Sequence, residues 1–349
     1  MSVRDLLIVG AGPTGLSAAI AAKGHGLDYH VIEQGVLVNS IFRFPPQMVF
    51  FTTPELLEIG GLPFVSPYEK PTRVEALRYY RKVADTYDLR IAFGERVLSV
   101  QREGDLDEAG GAGGSGGEPV FAVETRSVRG VRRVRHARFV IMAIGYYDHP
   151  NRLGVPGEDL PHVHHYYGEP YGHYRERVVI VGGGNSAAES ALELFRAGAS
   201  VTLVHRGPEL KSTIKYWVRP DIENRIKEGS IAARFDTVVK AISPSAVVTE
   251  RLSPRRVEDT GIRGEADAIP AETVFLLTGY RADADLLQRA GVAFDDRDAP
   301  VHDRDTFETN VSGLFVAGGA VAGVDTGTIF IENGRFHGER IVGTIASRL

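Results

Sequence analysis

The fold of this chain is decided by the stretch Leu6-Leu7-Ile8-Val9-Gly10-Ala11-Gly12-Pro13-Thr14-Gly15. Its four apolar residues predict a buried β-strand, and the alanine-rich residues after Gly15 predict a helix. In such a strand–turn–helix unit the first glycine makes the tight turn, the second lets a pyrophosphate approach the backbone, and the third lets helix and strand pack closely. The helix N-terminus then offers unpaired N–H groups to the phosphates. The stretch therefore predicts a dinucleotide site.

The same spacing of small residues recurs about 172 residues further along the chain. Gly182, Gly184 and Ala187 follow the apolar run 178–181 and open a second alanine-rich stretch. A single GxGxxG is weak evidence, but two copies in strand–helix context strongly favour a pair of βαβ units. The sequence thus predicts an α/β fold with two Rossmann-like dinucleotide-binding domains.

The residues at the end of the second strand of each unit distinguish the two ligands. In the first unit Glu33 follows the strand, where its carboxylate can accept hydrogen bonds from ribose hydroxyls. In the second unit the same offset reaches His205, followed by Arg206, whose guanidinium can bind a 2′-phosphate. We therefore expect FAD at the first site and NADPH at the second. The alternative is that His205 and Arg206 are ordinary solvated residues at a strand end.

The composition narrows the possible classes of function. The 349 residues include 40 Gly and no Cys, with 43% hydrophobic residues and a formal net charge of −5. The absence of cysteine excludes disulfide scaffolds, thiolate zinc sites, iron–sulfur clusters and thiol nucleophiles. The acidic balance gives no bulk attraction for nucleic acid or for an anionic membrane. Because no signal-peptide pattern or apolar stretch of about 20 residues is present, we expect a cytoplasmic protein with no nucleic-acid or membrane partner.

Two biased segments lie between the units. Residues 104–117 hold seven glycines and are expected to form a flexible hairpin tip. The six arginines from Arg126 to Arg138 nearly alternate with valines, which favours one solvated face of a β-ribbon over a nucleic-acid site. The remaining pattern predicts a helix at 74–87, a strand at 90–100, a hairpin from 120–125 and 131–135, and a strand at 139–144.

Two short strands that end in glycine turns, at Gly145 and Gly279, are typical of places where one domain is interrupted by another. We predict an FAD-binding domain at 1–148 and 281–349, with an NADPH-binding domain at 149–280 inserted into it.

The segment 162–174 is rich in His and Tyr. His162 and His164 would share one face of a strand, but no third ligand follows at a suitable spacing. We therefore expect a polar connection between domains and no metal site. A general-acid role for one of these histidines is the alternative.

Several motifs carry a resemblance to a known family. In addition to the two glycine turns, the chain contains three further motifs: Ala143-Ile144-Gly145, Val155-Pro156-Gly157-Glu158 and Leu314-Phe315-Val316-Ala317-Gly318. In this order they resemble the two-dinucleotide-domain flavoproteins related to thioredoxin reductase, over nearly the whole chain. The longer segments 50–61, 215–225 and 328–338 are similar to the bacillithiol disulfide reductase branch of that family.

The resemblance implies that hydride passes from the nicotinamide C4 of NADPH to the flavin N5 of FAD, in a homodimer. It also implies that the aromatic segment 42–51 lies near the flavin. From the glycine turn at Gly318 and Gly319 we expect a following helix that begins near Thr328 and points its N-terminus at the flavin; the alternative is a plain amphipathic terminal helix. The residues predicted to bind FAD are Gly10, Gly12, Pro13, Thr14, Gly15, Glu33, Gln34, Asn39, Met48, Val97, Ala143, Gly145, Gly318, Gly319, Thr328 and Ile329. Those predicted to bind NADPH are Gly182, Gly184, Asn185, Ser186, Ala187, His205, Arg206, Lys211 and Gly279.

The chain departs from the family pattern at three places. Thioredoxin reductases carry a dithiol where this chain reads Val163-His164-His165-Tyr166-Tyr167-Gly168-Glu169, and the bacillithiol branch carries a cysteine where Thr14 stands. A threonine hydroxyl cannot exchange with a disulfide, so its catalytic role is in doubt. Many relatives also have aspartate at the position of Gly319.

The electron acceptor is therefore the open part of the prediction. We expect a small molecule or a small redox protein, with a low-molecular-weight disulfide such as bacillithiol disulfide as the family expectation. The alternatives are a ferredoxin or flavodoxin NADP reductase of the thioredoxin-reductase-like type, a flavin monooxygenase, and a nucleotide-binding sensor that does not turn over.

Overall fold

The computed structural model describes residues 3–103, 120–252, 266–323 and 328–349. The segment 104–117, predicted as a hairpin tip, lies outside the described residues. The strands are β1 Arg4–Val9, β2 Tyr29–Ile32, β3 Ile91–Ala92, β4 Glu95–Glu103, β5 Val120–Ser127, β6 Arg132–Met142, β7 Val163–His164, β8 Arg177–Val181, β9 Ser200–Val204, β10 Ala232–Arg234, β11 Thr237–Ser243, β12 Ala246–Arg251, β13 Ala266–Pro270, β14 Thr273–Leu276 and β15 Leu314–Val316. The helices are α1 Pro13–Gly24, α2 Asn39–Arg43, α3 Arg73–Thr86, α4 Asn185–Arg196, α5 Arg219–Lys227, α6 Ala284–Arg289, α7 Ile331–Gly334 and α8 His337–Ala346.

The chain divides into two compact units. One comprises Met1–His149 and Tyr280–Leu349, and the other comprises Pro150–Gly279. We refer to them as unit 1 and unit 2.

Unit 1 is built on a mixed sheet in the order β3-β2-β1-β6-β5-β4, with β15 also paired to β6. β1, β2, β3, β6 and β15 run parallel, whereas β4, β5 and β6 pair antiparallel. Leu6 and Ile8 of β1 contribute to the core that packs under α1, α3 and α8, and Leu7 and Val9 contribute to the core on the opposite face. Burial on both faces explains why this strand is continuously apolar.

Unit 2 repeats the arrangement with a five-stranded parallel sheet in the order β10-β9-β8-β14-β7. Val178 and Ile180 of β8 face the core beneath α4, and Val179 and Val181 face the core that includes the antiparallel sheet β11-β12-β13. The predicted α/β class with two Rossmann-like sheets is therefore confirmed.

Local chemistry explains where the helices begin. Thr72 and Glu75 form a reciprocal capping box, because the Thr72 hydroxyl accepts from the Glu75 N–H and the Glu75 carboxylate accepts from the Thr72 N–H at 2.8 Å. α3 therefore begins at Arg73, one residue before the predicted start.

The prediction of a helix beginning near Thr328 was wrong. Asn333 accepts a hydrogen bond from the Phe330 N–H at 2.8 Å and donates one to the Thr328 carbonyl at 2.9 Å. These bonds hold the chain before Phe330 outside the helix. α7 accordingly begins at Ile331 and spans four residues.

Candidate functional site

A cleft opens at the carboxyl ends of the parallel strands in unit 1. The space between its walls, counted together with open solvent at its mouth, is about 1220 Å³. Such edges are where nucleotides bind in open α/β sheets. The residues of the FAD prediction that line it are Gly10, Gly12, Pro13, Thr14, Glu33, Gln34, Asn39, Val97, Ala143, Gly145, Gly318, Gly319 and Ile329. Gly15, Met48 and Thr328 lie outside this lining.

The first glycine turn is constrained by close backbone contacts. Gly10 has φ +106°, and a Cβ there would overlap the Ala143 carbonyl oxygen at the end of β6. A Cβ at Gly15 would overlap the Gly10 carbonyl, so α1 packs tightly against the turn. By contrast, a Cβ at Gly12 would meet nothing within 4 Å, which leaves room beside the backbone for a ligand.

The N-terminus of α1 faces this room without a side-chain cap. Pro13 occupies the first turn, and Gly12, as the N-cap residue, provides no side-chain hydrogen bond. The unpaired N–H groups and the positive end of the helix dipole favour an anion at this position.

Glu33 follows β2 and is buried, with 5% of its surface exposed. One carboxylate oxygen accepts from the Ala11 N–H and the other from the Gly35 N–H, both at 2.8 Å. Burial raises the pKa of Glu33, while these two hydrogen bonds act in the opposite direction. Each oxygen retains a lone pair, so the side chain fixes the loop and can also accept a ligand hydroxyl.

Asp148 is a cleft residue that the sequence analysis missed. Its carboxylate accepts hydrogen bonds from Gln34 at 2.8 Å, from Asn39 at 3.4 Å and from Arg43 at 2.7 Å. It therefore gathers side chains of the segment 34–43 against the chain that follows β6. No local pattern identifies it, because its partners are more than 100 residues away in sequence.

Thr14 lies between α1 and the C-terminal segment. Its hydroxyl donates to the Gly334 carbonyl at 3.2 Å, and a Cβ on Gly318 would lie 2.6 Å from the Thr14 Oγ1. The Gly318 N–H donates to Nδ1 of the buried His337 at 3.1 Å. Burial lowers the pKa of His337 to about 4, so this ring is a neutral acceptor at pH 7.

The aromatic segment 42–51 is split between core and surface. Phe50 is buried, Phe44 packs edge-on against Tyr147 at 4.8 Å, and Phe42 and Phe51 are exposed. Phe44 lines the cleft. Met48 instead packs against the core of unit 1.

Unit 2 repeats the glycine turn between β8 and α4. A Cβ at Gly182 would overlap the Leu277 carbonyl oxygen, and Ala187 is fully buried beneath the turn. α4 also begins without a side-chain cap at Gly184. Asn185 donates to the Thr213 carbonyl at 3.1 Å and accepts from the Lys215 N–H at 2.8 Å, which ties the helix start to the loop 211–215.

Cationic residues surround this second turn. The His205 ring lies against Gly183, where a Cβ would be 2.5 Å from the ring. Burial, Lys211 and Arg206 all lower the pKa of His205. Arg206 and Lys211 are exposed, and neither side chain has an acidic partner among the residues that the structure describes. Within the described part of the chain, two cations without an acidic partner therefore lie next to this turn: Arg206 follows His205, and Lys211 approaches Gly184.

The other predicted positions of unit 2 are placed as follows. Ser186 is exposed at the start of α4. Gly279 follows β14, and its carbonyl accepts from the Asn151 N–H at 2.9 Å. Within the described ranges, no group of three or more His, Asp or Glu side chains is arranged to hold a metal ion. His162 contacts the Ser243 carbonyl and His173 contacts Glu176, so these histidines have separate partners.

Two glycine-turn βαβ units in one chain, each with an uncapped helix that follows a parallel strand, define an α/β protein with two Rossmann-like units. The chain belongs to the pyridine nucleotide-disulphide oxidoreductase family, whose model matches residues 7–318. It is therefore an oxidoreductase.

Three relatives illustrate the similarity. The chain is 39% identical over 351 residues to Bacilliredoxin reductase Bdr of Bacillus subtilis (strain 168), covering 100% of this chain and 99% of the relative. It matches the solved structure of Bacillithiol Disulfide Reductase Bdr from Bacillus cereus with a TM-score of 0.90 and 38% identity over 100% of both chains. It is also 26% identical over 317 residues to a ferredoxin–NADP reductase of Ignicoccus hospitalis, covering 90% of each chain. The resemblance to the bacillithiol disulfide reductase branch is thus confirmed.

No helix in the described ranges combines the length and the apolar character needed to cross a bilayer.

Proposed function

We propose that this chain is an NADPH-dependent flavoprotein that binds FAD in the cleft of unit 1, binds NADPH at the glycine turn of unit 2, and reduces an external acceptor. The observation that carries the proposal is the cleft itself, in which the uncapped N-terminus of α1 and the buried Glu33 border the same space.

The residues of this cleft fit FAD in three respects. The α1 N-terminus suits the pyrophosphate, and the open space beside Gly12 admits it to the backbone. The free lone pairs of Glu33 suit ribose hydroxyls. When bound, FAD supplies a two-electron centre that accepts hydride from the nicotinamide. The chain's own part is to bind, orient and shield that centre from water.

Unit 2 fits NADPH better than NADH because of Arg206 and Lys211. Two exposed cations without an acidic partner among the described residues suit the 2′-phosphate, which NADH lacks. The neutral His205 ring beside them provides a flat surface and a hydrogen-bonding nitrogen.

A low-molecular-weight disulfide, with bacillithiol disulfide as the named example, is the first candidate acceptor. It is supported by similarity to relatives named for a bacilliredoxin and for bacillithiol disulfide. The balanced reaction is NADPH + H⁺ + RSSR → NADP⁺ + 2 RSH. Because no thiol is present in the chain, electrons pass to the disulfide without a protein mixed disulfide.

A ferredoxin or flavodoxin is the second candidate acceptor. The chain needs no cysteine for this role, and it is similar over most of its length to a protein named ferredoxin–NADP reductase. Of the arginine run, Arg132 and Arg135 pair with Glu124 and Glu95, which reduces the positive charge available to an acidic partner. The disulfide candidate is therefore placed first.

A stepwise reduction experiment tests the proposal. The FAD-loaded protein is reduced with NADPH without oxygen and mixed in turn with bacillithiol disulfide, oxidised ferredoxin, oxidised flavodoxin and a quinone. Rapid reoxidation by the disulfide alone supports the first candidate, and reoxidation only by one-electron acceptors supports the second. Failure of NADPH to reduce bound FAD contradicts both.

A cytoplasmic homodimer completes the proposal. Light scattering of the purified chain tests the dimer, and fractionation of the source cells tests the compartment.

A further inference from the structure

Tyr146 and Gly319 occupy a single space in the wall of the unit 1 cleft. Tyr146 follows the glycine turn at Gly145 after β6, and Gly319 follows β15, the strand paired with β6. A Cβ built on Gly319 would lie 2.5 Å from Cδ1 and 2.7 Å from Cε1 of the Tyr146 ring. Any side chain at 319 would therefore displace this ring. Both residues line the cleft.

The Tyr146 hydroxyl lacks a hydrogen-bonding partner within the described part of the chain. Burial raises the pKa of Tyr146, and the negative charge of Glu332 raises it further, so the hydroxyl remains a protonated donor at pH 7. The adjacent Tyr147 differs, because its hydroxyl donates to the Arg43 carbonyl at 3.5 Å. Tyr146 is partly exposed and lines the cleft, so its hydroxyl is available to a ligand that enters the cleft.

The position of the pair indicates which part of a ligand it would meet. Gly318, next to Gly319, lies against Thr14 in the first turn of α1. The pair is therefore adjacent to the helix N-terminus that favours phosphate. Glu33, whose carboxylate suits ribose hydroxyls, lies at a different place in the cleft, at the end of β2.

We propose that Tyr146 is a cofactor-contacting residue whose hydroxyl donates to an oxygen of the pyrophosphate–ribityl part of FAD, and whose ring is held in place by the absence of a side chain at Gly319. This proposal rests on the proposed function, which places FAD in this cleft.

The first test removes only the hydroxyl. Tyr146→Phe keeps the ring and should weaken FAD binding to the apoprotein about tenfold, the effect of one hydrogen bond, with a shift of the bound-flavin absorbance spectrum. Tyr68→Phe is the matched control, because Tyr68 is exposed and absent from the cleft lining. It should bind FAD as the wild type does. Equal affinities and spectra for wild type and Tyr146→Phe overturn the hydroxyl contact.

The second test is a double-mutant cycle between the two positions. Gly319→Ala should weaken FAD binding more than about tenfold in the wild type but less than about twofold in the Tyr146→Ala background, because the obstructing ring is gone. Gly319 has no positive φ, so alanine is compatible with its backbone. Additive effects overturn the ring–glycine coupling. Thermal unfolding of each apoprotein identifies variants that fail to fold. If Tyr146→Ala fails to fold, Tyr146→Phe, which keeps the ring, still tests the hydroxyl contact.

The outcomes separate this proposal from the proposed function. If the wild type binds FAD and no variant alters that binding, the Tyr146 contact fails and the function stands. If the wild type binds no FAD, both fail.

Discussion

Replacing Arg206 by alanine should raise the KM for NADPH about 10- to 100-fold and leave the KM for NADH within about twofold. Arg206 is exposed at the carboxyl end of β9 and has no acidic partner among the described residues, so its charge is available to a ligand. A hydrogen bond to a charged group contributes about 1.5–3 kcal/mol, and each 1.4 kcal/mol is a factor of ten. The lower part of that range applies because Lys211 remains and because salt screens exposed charges.

The assay is steady-state reduction of a common acceptor with each nicotinamide, at two ionic strengths. Arg196→Ala is the matched control, because Arg196 lies at the opposite end of α4 and pairs with Asp221 at 2.5 Å. The control should leave both KM values unchanged. Equal effects of Arg206→Ala on NADPH and NADH would refute the placement of the 2′-phosphate.

Three further predictions concern the glycine turn, the C-terminal wall and the missing thiol. Gly15→Ala should lower the free energy of unfolding by about 1–3 kcal/mol and reduce the amount of bound FAD, because the added Cβ overlaps a backbone carbonyl. Gly24→Ala is the control and should not destabilise the protein, because the space around Gly24 is open. Denaturant titration compares the two variants. Because the pKa of His337 is lowered to about 4 in the folded protein, its imidazole is protonated in the unfolded chain first as the pH falls below 6.5. His337 alone should therefore account for about 2 kcal/mol of the stability lost between pH 7 and pH 5, and His337→Asn should remove that part of the loss in urea titrations. Thr14→Cys should increase the rate of NADPH-dependent disulfide reduction at least tenfold, with Thr14→Ser as the control; no gain would mean that the acceptor site has diverged as well.

The fold could be predicted because its determinants are local. The apolar run 6–9 and the glycine spacing both act within a few residues along the chain. The same locality made Glu33 recognisable, since a carboxylate at the end of the second strand lies a nearly fixed distance from the turn. The family and the α/β class are confirmed, whereas the assignment of each cofactor to its unit stays a prediction.

What the sequence did not reveal depends on contacts between distant segments. Asp148 binds side chains of the segment 34–43, and Tyr146 fills the space left by Gly319, with more than 100 residues between the partners in both cases. The start of α7 was misplaced because side-chain bonds from Asn333 to the preceding backbone outweigh the helical pattern after Thr328. Such pairings appear only when the chain is folded.

Anaerobic titration of the FAD-loaded protein with NADPH tests the central claim most directly. The account predicts that one equivalent of NADPH removes the absorbance band of oxidised flavin, and that Arg206→Ala needs a higher NADPH concentration for the same change. A purified chain that binds no FAD, or bound flavin that NADPH leaves oxidised, would contradict it.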